Sequence, residues 1–141
     1  MIRIENAAWA EMVRHAQACY PRECCGILLG TVDGADKRVA SVAIACRNAY
    51  EGDRPDRFAL DPKDMIAAER QGRQSGLDVL GFFHSHPDEE SYFSATDLAN
   101  SAPWYSNVVM SVKKGAVMNA RAFIANVEQT EAPEEELSYP R

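Results

Sequence analysis

LDVLGFFHSHP, residues 77 to 87, is the stretch whose reading decides the fold. From Leu77 to Phe83 it is nearly continuous in apolar residues and then meets His84, Ser85 and His86. Such a run has the character of a central strand buried on both faces. Side chains alternate along a strand, so His84 and His86 share one face and Ser85 points to the other. Pro87 lacks the N–H that a ladder needs and helps to end the strand, leaving both imidazoles at the sheet's end, where sites of α/β proteins usually lie.

The segments on either side fit a mixed sheet with helices packed against it. After a short strand, IRI, the spacing of Trp9, Met12, Val13 and Ala16 predicts an amphipathic helix from Asn6 to about Ala18, which Pro21 helps to end. CGILLGTV and RVASVAIAC read as a hairpin over residues 25 to 46, turning near Asp33-Gly34. RNAYEGDRPD is a polar loop, and RFAL a brief strand. Asp61 as cap with Pro62 at the first helical position predicts a helix to about Ser75, stopped by Gly76. After the central strand, SATDLANSA reads as a helix, and NVVMSVKK and NARAFIANVEQ as strands around a Lys-Gly turn. The expected fold is therefore α/β (α+β), one domain over residues 1–127, with the acidic segment 128–141 as a flexible tail.

Composition narrows the function. The 141 residues are 46% hydrophobic and 26% charged, which suits one ordinary globular domain. A domain of this size does not need metal or disulfides to fold, so any bound metal is expected to be functional. The net charge of -6 and the lack of any Lys/Arg cluster argue against nucleic acid as a partner. No apolar run is long enough to cross a bilayer or to act as a secretion signal, so no membrane association and a cytoplasmic address are expected. Cys19, Cys24, Cys25 and Cys46 have no C-x-x-C spacing and read as buried free thiols.

Two of the chain's three histidines stand in H84-S85-H86, and a carboxylate, Asp97, follows on the first turn of the next helix. Two imidazoles and one carboxylate make three ligands, the number of protein ligands in a catalytic zinc site. The same residues also admit a structural reading. Ser94 and Asp97 form an S-x-x-D capping box, and histidines at a strand end are often only polar residues. Cap and ligand are compatible in one residue. Chemistry alone does not choose a proton acceptor among the twenty-one Asp and Glu.

The string H84-S85-H86-P87, six residues, then S94-A95-T96-D97 matches the H-S-H-P-x6-S-x-x-D motif of the JAMM metalloproteases, also called the MPN-plus or Mov34/PAD-1 family. YPRECCGILLG at 20–30 resembles the Y-P-x-E-x-C-G-x-L-L-G of small bacterial members, and RFALDPKD at 57–64 resembles their F-x-x-D-P-x-D. The resemblance implies the JAMM/MPN, cytidine-deaminase-like fold and a Zn2+ cofactor held by His84, His86 and Asp97. It also implies Glu23 as the general base and Ser94 as the hydroxyl that stabilises the oxyanion. The implied reaction is hydrolysis of an amide or isopeptide bond after the C-terminal Gly-Gly of a ubiquitin-like or sulfur-carrier protein. A metal-free scaffold domain of the same fold is the alternative, and it would show gaps in the ligand set; none is present. The loop DEESYF, residues 88–93, departs from relatives in its acidity, which is either a device of substrate choice or a solvated surface. The oligomeric state is left open.

Overall fold

A computed structural model describes residues 1–34, 36–52 and 58–141. In chain order the elements are β1 (Ile2–Ile4), α1 (Asn6–Cys19), β2 (Cys25–Asp33), β3 (Lys37–Cys46), α2 (Pro62–Ser75), β4 (Asp78–Pro87), α3 (Ala95–Ala99), β5 (Ser106–Lys113), β6 (Ala116–Phe123), β7 (Glu134–Glu135) and β8 (Leu137–Ser138). The expected mixed α+β fold is observed. One sheet runs in the order β7-β6-β5-β4-β2-β3-β1-β8, with β4 at its centre.

β4 pairs antiparallel with β2 and parallel with β5. Gly81 allows the second contact, because a Cβ there would lie 1.9 Å from the carbonyl oxygen of Ser106. The two faces of the sheet carry different helices. Ala8, Met12 and Ala16 of α1 pack with Ile2, Leu28, Val108, Met110 and Ala122 from the strands. On the opposite face Ala68 of α2 packs with Cys25, Ile27 and Leu29. α2 begins and ends as its sequence predicts: Asp61 accepts from the Lys63 N–H at 2.9 Å, and Gly76 closes the helix at φ 70°.

Apart from the strand read over NARAFIANVEQ, which ends at Phe123, three expectations differ from the structure. Residues 58–60 form no strand, and Arg57 of RFAL lies outside the described residues. The helix after the histidines is only Ala95–Ala99. The third difference is the C-terminal segment, which is built into the sheet. Glu135 pairs with Ala122 at one edge, while Leu137 pairs with Ile2 at the other. Since β7 and β8 are separated by Glu136 alone, this segment joins the two edges and draws the sheet into a closed ring around α1. Composition suggested a loose tail because the segment's apolar content is low. Strand pairing needs only backbone, and few side chains anchor the segment: Leu137 packs on the core, and Tyr139 lies 4.5 Å from Trp9 between ring centroids and accepts the Ala120 N–H.

No helix among the described residues is long and apolar enough to cross a membrane. Tyr139→Ala is expected to cost about 1–3 kcal/mol, below the ~3–5 kcal/mol of a fully buried aromatic. Chemical denaturation would measure it, and an unchanged midpoint would show that the Tyr139 ring adds nothing to stability.

Candidate metal centre

His84 and His86 lie near the end of β4, on one face. Glu23 reaches them through strand pairing. In the β2–β4 ladder Cys25 stands opposite His84, and continuing that register sets Glu23 opposite His86. All three are deeply buried, at 4% exposure for Glu23, 3% for His84 and 5% for His86. Each offers one ligand atom, and these atoms lie within 4.8 Å of one another.

Asp97 completes the cluster from α3. Its Oδ2 lies 3.2 Å from the Nε2 of His84 and 3.2 Å from the Nε2 of His86, and the two Nε2 atoms are 3.3 Å apart. The same carboxylate oxygen accepts the Ser94 N–H at 3.0 Å, while the Ser94 hydroxyl accepts the Asp97 N–H at 3.0 Å. The capping box thus aims the carboxylate. Ser94 is placed beside the cluster with its hydroxyl oxygen occupied as an acceptor and its proton available to donate.

Donor atoms around a tetrahedral centre with bonds of ~2.0–2.1 Å are separated by roughly 3.3–3.4 Å. The spacing of the three Asp97, His84 and His86 atoms fits that edge length. The tautomer fits as well: His86 Nδ1 lies 3.0 Å from the Glu90 carbonyl, which can only accept, so Nδ1 carries the proton and neutral His86 turns an Nε2 lone pair inward. His84 is held by a stacked Phe58, 4.6 Å between centroids. Lone pairs this close require either protons or a cation between them.

Without a cation the protons distribute unevenly. Burial pushes His84 below the ordinary imidazole range despite Asp97. Burial also opposes the charge on His86, but hydrogen bonds to Asp97 and to the Glu90 carbonyl raise it overall. Burial likewise opposes the charge on Asp97, but the His84 and His86 hydrogen bonds hold its carboxyl well below the usual range. The buried thiols are inert by contrast. Burial pushes Cys24 up to about 12 and Cys46 up to about 11, and all four cysteines are free.

A cavity of about 620 Å³ opens beside the cluster. Glu23, His84 and Asp97 form one wall, and Tyr50, Phe58 and Phe93 are among the residues of the others. The carboxylates of the acidic loop have partners of their own: Asp88 accepts from the Tyr20 hydroxyl and the Lys114 N–H, Glu89 accepts from the Tyr92 hydroxyl, and Glu90 pairs with Lys113. Sequence reasoning assigned no role to Phe58, Ser85 or Asn48, although Ser85 and Asn48 hold the backbone at Glu23. A signal existed for Asn48, a polar residue two positions beyond the end of the β3 strand.

As pH falls, His86 takes a second proton, on Nε2, which a metal must displace. Affinity for a divalent metal is therefore expected to fall as pH is lowered, by at least tenfold between about pH 8 and about pH 5.5. Calorimetric titration at the two pH values checks this, and equal affinity would exclude these imidazoles as ligands. In the native protein Cys24, Cys25 and Cys46 should resist alkylation while half-buried Cys19 reacts first; mass spectrometry of the labelled chain reads the order.

Residues 5–125 match the family of prokaryotic homologs of the JAB domain. A desampylase of Haloferax volcanii is 34% identical over 96 residues, covering 64% of this chain and 63% of that protein. The tail tip assembly protein K of Escherichia phage N15 is 35% identical over 98 residues, covering 67% of this chain and 35% of that protein. The match therefore spans somewhat under two thirds of the first relative and about a third of the second. A solved structure from Desulfitobacterium hafniense superposes with a TM-score of 0.85 at 28% identity, covering 99% of this chain and 93% of that one. A JAB1/MPN domain protein from Archaeoglobus fulgidus shares the fold, with a TM-score of 0.60 at 17% identity over 100% of this chain and 98% of that one. With its motif, its fold and a family match over residues 5–125, the chain belongs to the prokaryotic JAB branch of the JAMM/MPN family.

Proposed function

We propose that this protein is a zinc-dependent hydrolase that cleaves an amide or isopeptide bond after the C-terminal Gly-Gly of a ubiquitin-like or sulfur-carrier protein. The observation that carries this reading is the convergence of His84, His86 and Asp97 on one point with Glu23 buried beside them. Relatives named desampylases support the deconjugating part of it. Zinc would be held by His84 Nε2, His86 Nε2 and Asp97 Oδ2, and when bound it would acidify a water and polarise the carbonyl under attack.

Glu23 takes a proton from the attacking water and returns it to the departing amine. Its burial at 4% exposure keeps it out of bulk solvent, beside the donor cluster. Ser94 donates its hydroxyl proton to the oxyanion, because its oxygen is already engaged with the Asp97 N–H. The Glu90 carbonyl fixes the ring of His86, and Phe58 fixes that of His84.

The outer edges of the sheet are joined by residues 134–138, so an extended tail does not add there. In this reading it enters the cavity that Glu23, residues 58–60 and residues 100–102 line, where glycines fit against the wall. The partnered carboxylates of residues 88–90 favour the solvated-surface reading of the acidic loop. The relative named for tail tip assembly favours the alternative of a protein-binding scaffold. The complete donor set weighs against it, since a scaffold needs no such cluster.

A linear fusion of a ubiquitin-like protein ending in Gly-Gly tests the reading. The zinc-loaded parent should cleave it after the second glycine. Glu23→Gln should retain one zinc per chain and the thermal midpoint but lose at least about 100-fold in kcat, in the range general-base removal produces. His86→Ala should lose the zinc as well, as metal analysis would show. Cleavage by Glu23→Gln at the parent rate would end this mechanism.

A further inference from the structure

The peptide unit between Glu23 and Cys24 lies just before β2, where the β2–β3 ladder has run out: its last pair is Cys25 with Cys46. Continuing that register sets Asn48 opposite Glu23, two residues beyond the end of β3. There the side chain of Asn48 does what a strand's backbone does elsewhere, Nδ2 donating to the Glu23 carbonyl at 3.2 Å. On the other side of the same peptide, the Cys24 N–H donates to the Ser85 hydroxyl at 2.8 Å, in a buried hydrogen bond. Both polar groups of this one peptide plane are thus held by side chains from β4 and from the loop after β3.

We propose that Asn48 and Ser85 are positioning residues that clamp the Glu23–Cys24 peptide and so set the carboxylate of Glu23 against the His84–His86–Asp97 cluster. The reason is geometric. The direction of a side chain follows the orientation of its own peptide, and a general base must stand within hydrogen-bond reach of the proton it takes. Glu23 precedes the regular strand, so these two bonds orient its peptide where the ladder does not. Ser85 points to the opposite face from the histidines, which places its hydroxyl on the β2 side of the backbone and not in the cavity. Asn48 also ties the cavity wall to the same anchor, because its Oδ1 accepts from the N–H groups of Tyr50 and Ala59 at 3.0 Å each.

The inference rests on the proposed hydrolysis, and two readouts separate their fates. The first needs neither metal nor substrate: amide exchange at Cys24 in the full chain, followed by NMR. Ser85→Ala and Asn48→Ala should each speed exchange at least tenfold, and Ser85→Thr, which keeps the hydroxyl, should restore the parent rate. Unchanged exchange at Cys24 in both alanine variants would overturn the clamp whatever the protein hydrolyses. The second is cleavage of the Gly-Gly fusion at full zinc loading. Both alanine variants should lower kcat about 10- to 100-fold, the usual effect of removing a supporting group. Only Asn48→Ala should also raise KM. In a Glu23→Gln background the kcat effects should vanish; if they persist undiminished, the residues do not act through Glu23 and the inference fails. If the parent cleaves nothing, the functional proposal falls and the Cys24 exchange rates decide the clamp alone.

Discussion

The antiparallel pairing of β2 with β4 is the constraint on which the rest depends. It carries Glu23 across 61 residues of chain to the histidines, and it does so only in one register. Gly26 stands opposite Phe83, and a Cβ on Gly26 would lie 2.2 Å from the Phe83 ring. A slip by one residue would bring Cys25 or Ile27 under that ring and turn every β2 side chain to the other face. The glycine and the aromatic together therefore determine that Glu23, and not a neighbour, faces the imidazoles.

A second economy lies at Asp97. One carboxylate oxygen serves the start of α3 and the donor cluster at once. A five-residue helix with no buried residue of its own has little else to hold it. The cap that orders this short helix is thus the same contact that orients the third donor. Loss of the cap and loss of the donor are the same event here.

The surroundings of the site are divided between groups that hold geometry and groups that stay chemically silent. The cysteines beside Glu23 are buried and kept as neutral thiols, so they pack as small hydrophobes and do not compete as ligands. The acidic loop has its own cationic, hydroxyl and amide partners at the surface. The C-terminal segment pairs with both outer strands of the sheet, and the cavity beside Glu23, His84 and Asp97 is the place the proposed function assigns to its substrate.

Much of the fold and of the donor set was legible in the chain. Alternation placed His84 and His86 on one face, Asp61-Pro62 and Gly76 bounded α2, and S-x-x-D marked the cap, because each rests on contacts between residues close in sequence. The Glu23 assignment came from resemblance to a family, since a pairing across 61 residues has no local signature. Three features were decided by tertiary structure alone. Glu134 to Ser138 joined the sheet through backbone groups that every sequence possesses, Asn48 took up a backbone carbonyl beyond the end of its strand, and Phe58 stacked on His84 from an irregular segment. What the sequence determined by itself was the identity and local direction of the donors. The distances between them were set by long-range register and by the close packing that admits only one such register.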